Sequence, residues 1–203
     1  MRYVEALNEW DGEGVSLFIA GGISNCSDWQ SEMAPLLSDT ELVLLNPRRK
    51  NFPMEDPFAA PIQIKWEHKY LAYPHAVLFW FPPETLCPIT LFELGTFART
   101  DIPVFVGVDP NYARKLDIEV QMSLWRPDIK VVYSLVDLAN QVKQWEKDNG
   151  DGRHHPGPET IACGQSNSPL ETGQRACCGN GDCCASSGGV RGILDSFKRL
   201  FNS

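Results

Sequence analysis

Residues 76–81, Ala76-Val77-Leu78-Phe79-Trp80-Phe81, carry no polar side chain at all. A strand with one wet face alternates polar and apolar residues. A run apolar throughout needs helices over both of its faces, as the central strand of a parallel α/β sheet has. Other short apolar runs fall at 15–20, 41–45, 104–108 and 130–133, separated by segments of helical period near 28–37, 62–72, 89–99, 113–125 and 135–147. Five strand–helix units in succession predict an α/β, flavodoxin-like, doubly wound five-stranded parallel sheet. The expected strand order is 2-1-3-4-5, with ligands at the carboxyl ends of the strands.

This pattern stops near residue 148, which sets the expected domain at 1–148. The net charge of −8 lies entirely within that part, and a negative field disfavours direct nucleic-acid binding. Residues 149–189 hold no tryptophan or tyrosine and are rich in glycine, so they read as a disordered linker. Val190, Ile193, Leu194, Phe197, Leu200 and Phe201 then recur at helical spacing, which predicts an amphipathic helix over 190–203. Such a helix suits a protein partner or a membrane surface. Five of the seven cysteines lie in this tail, four of them as Cys177, Cys178, Cys183 and Cys184. That cluster is open to readings as a soft-metal site, a lipidation site, a redox target or a neutral feature of the linker. No run of eighteen apolar residues and no apolar leader occurs, so the expected location is cytoplasmic.

Three loops after predicted strands carry candidate chemistry. The first contains Gly21 and Gly22, a pair that lets backbone approach a ligand or simply forms a tight turn. The second is Asn46-Pro47-Arg48-Arg49-Lys50, where an arginine can clamp a carboxylate or phosphate, or the charges can be solvated and paired. The third leads through Cys87 to Glu93, a carboxylate between Phe92 and Leu94. A carboxylate among apolar residues is desolvated for acid, base or nucleophilic work, is paired, or is stabilised by the helix dipole. Cys87 is a candidate thiol nucleophile or a small buried hydrophobe.

Taken in order, Phe18-Ile19-Ala20-Gly21-Gly22-Ile23-Ser24, Asp28-Trp29-Gln30, Asn46-Pro47-Arg48-Arg49, Gln63 with Trp66-Glu67, Phe79-Trp80-Phe81-Pro82, Cys87-Pro88-Ile89-Thr90 and Phe92-Glu93-Leu94-Gly95 resemble the nucleoside 2-deoxyribosyltransferase-like family. The likeness spans about residues 15–145 and is nearest to its divergent branch associated with phages and bacteria. It implies that Glu93 attacks the anomeric carbon of a deoxyribosyl group bound as a nucleoside or nucleotide, and that an acceptor base then takes the sugar. It also implies a homo-oligomer sharing sites across an interface. Where the family has two aspartates that bind and protonate the base, this sequence has Cys87 and, near the second, His75. A tyrosine that orients the nucleophile is replaced by Phe18.

The residues themselves agree with such chemistry, since an oxocarbenium-like state needs a carboxylate beneath C1′ and the departing base needs a proton. His75 is a candidate donor, and Gln63, Trp66 and Glu67 are candidates for lining the pocket. Asp109 and Asn111, after the fourth predicted strand, are expected at its rim. No metal or cofactor is required. The alternatives are a nucleoside or nucleotide N-glycoside hydrolase, and a binding or sensor module without catalysis.

Overall fold

The computed structural model describes residues 1–149, and the predicted linker and amphipathic helix lie outside the described residues. Strands β1 (Arg2–Glu5), β2 (Ser16–Gly21), β3 (Val43–Asn46), β4 (Ala76–Phe81) and β5 (Val104–Val108) form one parallel sheet in the order β1-β3-β2-β4-β5. Five helices accompany them: α1 (Trp29–Leu36), α2 (Ala59–Leu71), α3 (Pro88–Phe97), α4 (Lys115–Trp125) and α5 (Leu135–Asn149).

All six residues of β4 are buried, and their alternation divides the core in two. Val77, Phe79 and Phe81 join Phe18, Val106 and Val108 beneath Trp66 and Tyr70 of α2, Leu94 and Phe97 of α3, and Ile118 and Met122 of α4. Ala76, Leu78 and Trp80 face the other way, with Leu17, Ile19 and Phe105, against Trp29 and Met33 of α1 and Leu138 and Val142 of α5. Helices therefore cover both faces, and the doubly wound α/β sheet expected from the apolar run is the fold observed.

Two details of the sheet differ from expectation. The predicted strand at 130–133 contributes one isolated bridge, Gly107 to Val132, closed by Val108 N–H to the Val132 carbonyl (2.9 Å) and Val132 N–H to the Val106 carbonyl (3.0 Å). Of that segment only Val132 is buried, so nothing extends the pairing beyond it. The fifth strand is instead β1, which adds to the far side of β3 with Tyr3 opposite Leu44 and Glu5 opposite Asn46. Only Val4 of β1 is buried, which is why hydropathy did not mark it. The four predicted strands that do form keep their expected relative order.

Candidate active site

The carboxyl ends of β2 and β3 and the segments after β3 and β4 enclose a cleft of about 1220 Å³. This is where an open α/β sheet reverses its strand order and binds ligands. Gly21, Gly22, Asn46, Arg48, Gln63, Glu67, Cys87 and Glu93 all line it, so the fold gathers these sequence-predicted residues at one place.

Gly21 and Gly22 are required for packing. A Cβ on Gly21 would sit 2.4 Å from Cζ2 of Trp29 and 2.5 Å from the Trp80 carbonyl oxygen. One on Gly22 would meet Cγ of Pro82 at 2.8 Å and the Cys87 sulfur at 3.0 Å. The Gly22 carbonyl accepts from Trp29 Nε1 (2.8 Å) and Gln30 Nε2 (3.1 Å), which fixes the loop to α1.

Asn46 shapes its own turn. Its Oδ1 accepts from Arg48 N–H (2.9 Å), while Nδ2 donates to the Arg48 carbonyl (3.2 Å) and to the Tyr3 hydroxyl. Arg48 is likewise engaged. Its guanidinium donates to the carbonyls of Ser27 (2.6 Å) and Cys26 (3.2 Å) and to Gln30 Oε1 (3.2 Å), and it pairs with Asp28 at 3.6 Å. The arginine thus ties the loop after β3 to the loop after β2. Among the described residues Arg49 and Lys50 form no ion pair, and Arg49 lies over the Phe52 ring at 5.3 Å.

The other wall comes from α2 and α3. Gln63, buried on α2, donates through Nε2 to the Pro47 carbonyl (2.7 Å) and to Oε1 of Glu67 (2.9 Å), one helical turn on. Its Oε1 is buried without a partner among the described residues. Helix α3 starts with Cys87 in the left-handed region (φ 48°) and Pro88 in its first turn, which suits a proline because that position needs no N–H. Glu93 then falls in the second turn, partly buried, its carboxyl with no hydrogen bond or ion pair among the described residues. Burial first, and the neighbouring Glu67 charge second, push its carboxyl up to about 7. Burial raises Glu67 as well, against the Gln63 hydrogen bond that favours its ionised form.

Cys87 is buried, and desolvation drives its thiol up to about 12. It stays a neutral thiol near pH 7, with Sγ 3.5 Å from the Thr85 carbonyl, and the candidate role as a thiol nucleophile is set aside.

His75 is not in the cleft. It precedes β4, at the amino edge of the sheet, where Nδ1 lies 2.9 Å from Ser16 Oγ and accepts from Ser16 N–H at 3.2 Å. In a parallel sheet this edge is opposite the ligand edge, so its candidacy as proton donor does not survive the fold. Asp109 and Asn111 also lie off the cleft lining. Asp109 Oδ1 accepts from Asn111 N–H (2.8 Å) and its carbonyl from Tyr112 N–H (2.9 Å), building the turn after β5.

Sequence reasoning missed Tyr3 and Glu5, which β1 brings to the cleft along with Met1. These are alternate residues, the period of a strand with one face toward a site. Burial raises the Tyr3 hydroxyl above its usual range, against the Asn46 hydrogen bond.

A five-stranded parallel α/β sheet with a desolvated carboxyl in its carboxyl-edge cleft is the class of protein that fold and site define. The family model described as nucleoside 2-deoxyribosyltransferase like matches residues 14–112, from just before β2 to just beyond β5. The matched segment is the one in which the motifs resembling that family fall. A search of curated proteins returned no match.

Proposed function

We propose that this domain cleaves the N-glycosidic bond of a deoxynucleoside and transfers the deoxyribosyl group to an acceptor base, with Glu93 as nucleophile. The observation that carries the reading is the state of Glu93: a desolvated carboxyl, raised to about 7 and without a hydrogen-bonding partner among the described residues, facing a cleft at the ligand edge of the sheet. A Glu93 oxygen bonds to C1′ as the C1′–N bond breaks, and its electrons leave with the base, which takes up one proton. The nitrogen of a second base then attacks C1′, the Glu93 carboxylate is released, and the acceptor's N–H proton is given up, which balances the one the first base took. Water in place of that base makes the same site a hydrolase.

The test incubates wild-type protein and Glu93→Ala with deoxynucleosides, ribonucleosides and their monophosphates, with and without a free base, followed by mass spectrometry. Base exchange by wild type and its loss in the variant are expected. Full turnover by Glu93→Ala on a verified substrate would end the mechanism. Binding with no base release under any condition favours a binding module.

A phosphorylated substrate is favoured by Arg49 and Lys50, two cations on the cleft lining with no carboxylate in ion-pair reach among the described residues. Charge reversal at Arg49 is expected to raise KM for nucleoside monophosphates and leave that for nucleosides unchanged. An equal effect on both refutes a phosphate contact.

A further inference from the structure

The cleft runs well past Glu93. Glu93 follows β4, and with the strands ordered β4-β2-β3-β1 the cleft crosses three strand spacings, about 14 Å, before it reaches Met1 and Tyr3. Its volume of about 1220 Å³ exceeds the roughly 300–1,000 Å³ of an ordinary small-molecule site. On the sugar of a nucleoside nothing extends beyond the 5′ oxygen, a few ångströms from C1′, so a nucleoside seated at Glu93 does not reach the far end. Tyr3 pairs in register with Leu44, whose side chain belongs to the core beneath α1, so Met1, Tyr3 and Glu5 face the α1 side of the sheet. There Met1 and Tyr3, both exposed, share the lining with Ala34 and Pro35 of α1. The Tyr3 hydroxyl is bonded to Asn46, which fixes the ring without covering it.

Cations stand between the two ends. Arg49 and Lys50 follow β3, the strand between β2 and β1, and Lys50 N–H donates to Oε1 of Glu5 on β1 (3.1 Å). The carboxylates on this stretch of the lining are engaged, Glu5 by that N–H and Asp28 by the Ser31 hydroxyl and Arg48. We infer that the far end is a second nucleoside subsite, and that the substrate is a dinucleotide: a 5′,5′-pyrophosphate joins the deoxynucleoside cleaved at Glu93 to a second nucleoside, whose base stacks on Tyr3. The inference rests on the glycosidic reading above and names its substrate class. Arg49 and Lys50, two cations with no ion pair among the described residues, match the two negative charges of a pyrophosphate bridge, where a 3′,5′-phosphodiester carries one. Stacking on an aromatic ring accepts any base, because every base has a π-face, so this subsite holds the substrate without selecting the base that leaves. Strand β1 precedes residues 14–112, so the subsite is built by a strand outside the segment shared with the family model.

The experiment gives wild type each common deoxynucleoside as the free nucleoside, the 5′-monophosphate, the 5′-diphosphate and the symmetrical 5′,5′-pyrophosphate dinucleotide, and follows base release. The diphosphate carries the same phosphates without the second nucleoside, so kcat/KM for the dinucleotide relative to it reads the second nucleoside alone. After correction for the dinucleotide's equivalent bonds, a preference of about 5–100-fold is expected. Tyr3→Phe should keep that ratio, and Tyr3→Ala should bring it down to about one. Ala34→Phe narrows the subsite from α1 without touching β1, and the same collapse is expected there, so a misfolded Tyr3→Ala does not decide the matter. Equal efficiency of wild type on dinucleotide and diphosphate overturns the inference, as does a preference that survives both Tyr3→Ala and Ala34→Phe. In either case base release has been seen and the glycosidic reading stands. Absence of base release from every form removes that reading, and the inference with it.

Discussion

On the side of the cleft built by the loops after β2 and β3, polar side chains turn back onto the chain. Asn46 hydrogen-bonds within its own turn, and Arg48 spreads three donor contacts over Cys26, Ser27 and Gln30. On the side built by α2 and α3, Glu67 has one hydrogen-bonding partner and Glu93 none among the described residues, and both carboxyls are raised by burial. Both sides carry polar residues of the kinds that bind substrates, so residue type does not separate them. What separates them is how far the fold has already satisfied each group. A satisfied side chain maintains shape, whereas a desolvated carboxyl left unsatisfied is held in a costly state that a reacting substrate can relieve.

Arg48 is the sharpest way to break this division. If its work is structural, Arg48→Ala loses its bonds to two backbone carbonyls and lowers stability by about 1–3 kcal/mol, while Glu93 is untouched. Thermal or denaturant unfolding reads the first effect. The expected kinetic result is a change confined to the fraction of folded enzyme, with KM preserved at a temperature well below the transition. A preserved melting temperature with a raised KM would move Arg48 across to the chemical side.

The carboxyls predict the opposite response. Glu93 has a folded pKa of about 7 against an ordinary 4.5, so the folded state binds its proton more tightly than the unfolded chain does. Its stabilising contribution is full below about pH 4.5, is lost as pH rises through about 7, and changes no further above that. Glu93→Gln, which cannot ionise, is therefore expected to gain stability relative to wild type between pH 5 and pH 8 as it loses activity. Unfolding curves at those two pH values check it. A difference between variant and wild type that does not change with pH would mean that Glu93 is solvated.

The same division explains what the sequence disclosed. The apolar run of β4 demanded two helical layers, and those layers oblige the chemistry to collect at one edge of the sheet. Glu93 stood out because Phe92 and Leu94 flank it. Which edge a residue occupies was less legible at His75, which adjoins an apolar run just as a site residue does but precedes the strand instead of following it. The Asn46–Tyr3 bond and the bonds of the Arg48 guanidinium join segments 18 to 43 residues apart, which no local pattern records. Strand β1 was hidden because three of its four residues stay outside the core, whereas Val131-Val132 looked like a strand by β-branching alone.

The edge strand gives the finest test, because Tyr3 belongs to neither side cleanly. It precedes the matched region, it lines the cleft, and its hydroxyl is partnered by Asn46. By the rule that satisfied groups are scaffold, Tyr3→Phe removes one half-exposed hydrogen bond and costs about 0.5–1.5 kcal/mol, with turnover per folded molecule unchanged. Asn46 Nδ2 still has the Arg48 carbonyl, so the turn that it shapes should persist. Steady-state kinetics beside unfolding curves measure the two quantities separately. If turnover falls while stability holds, then the hydroxyl acts on substrate, and being satisfied in the empty cleft does not exclude a group from chemistry. In that case Asn46 would release Tyr3 when the cleft fills, and Asn46→Ala should bind substrate more tightly than wild type does.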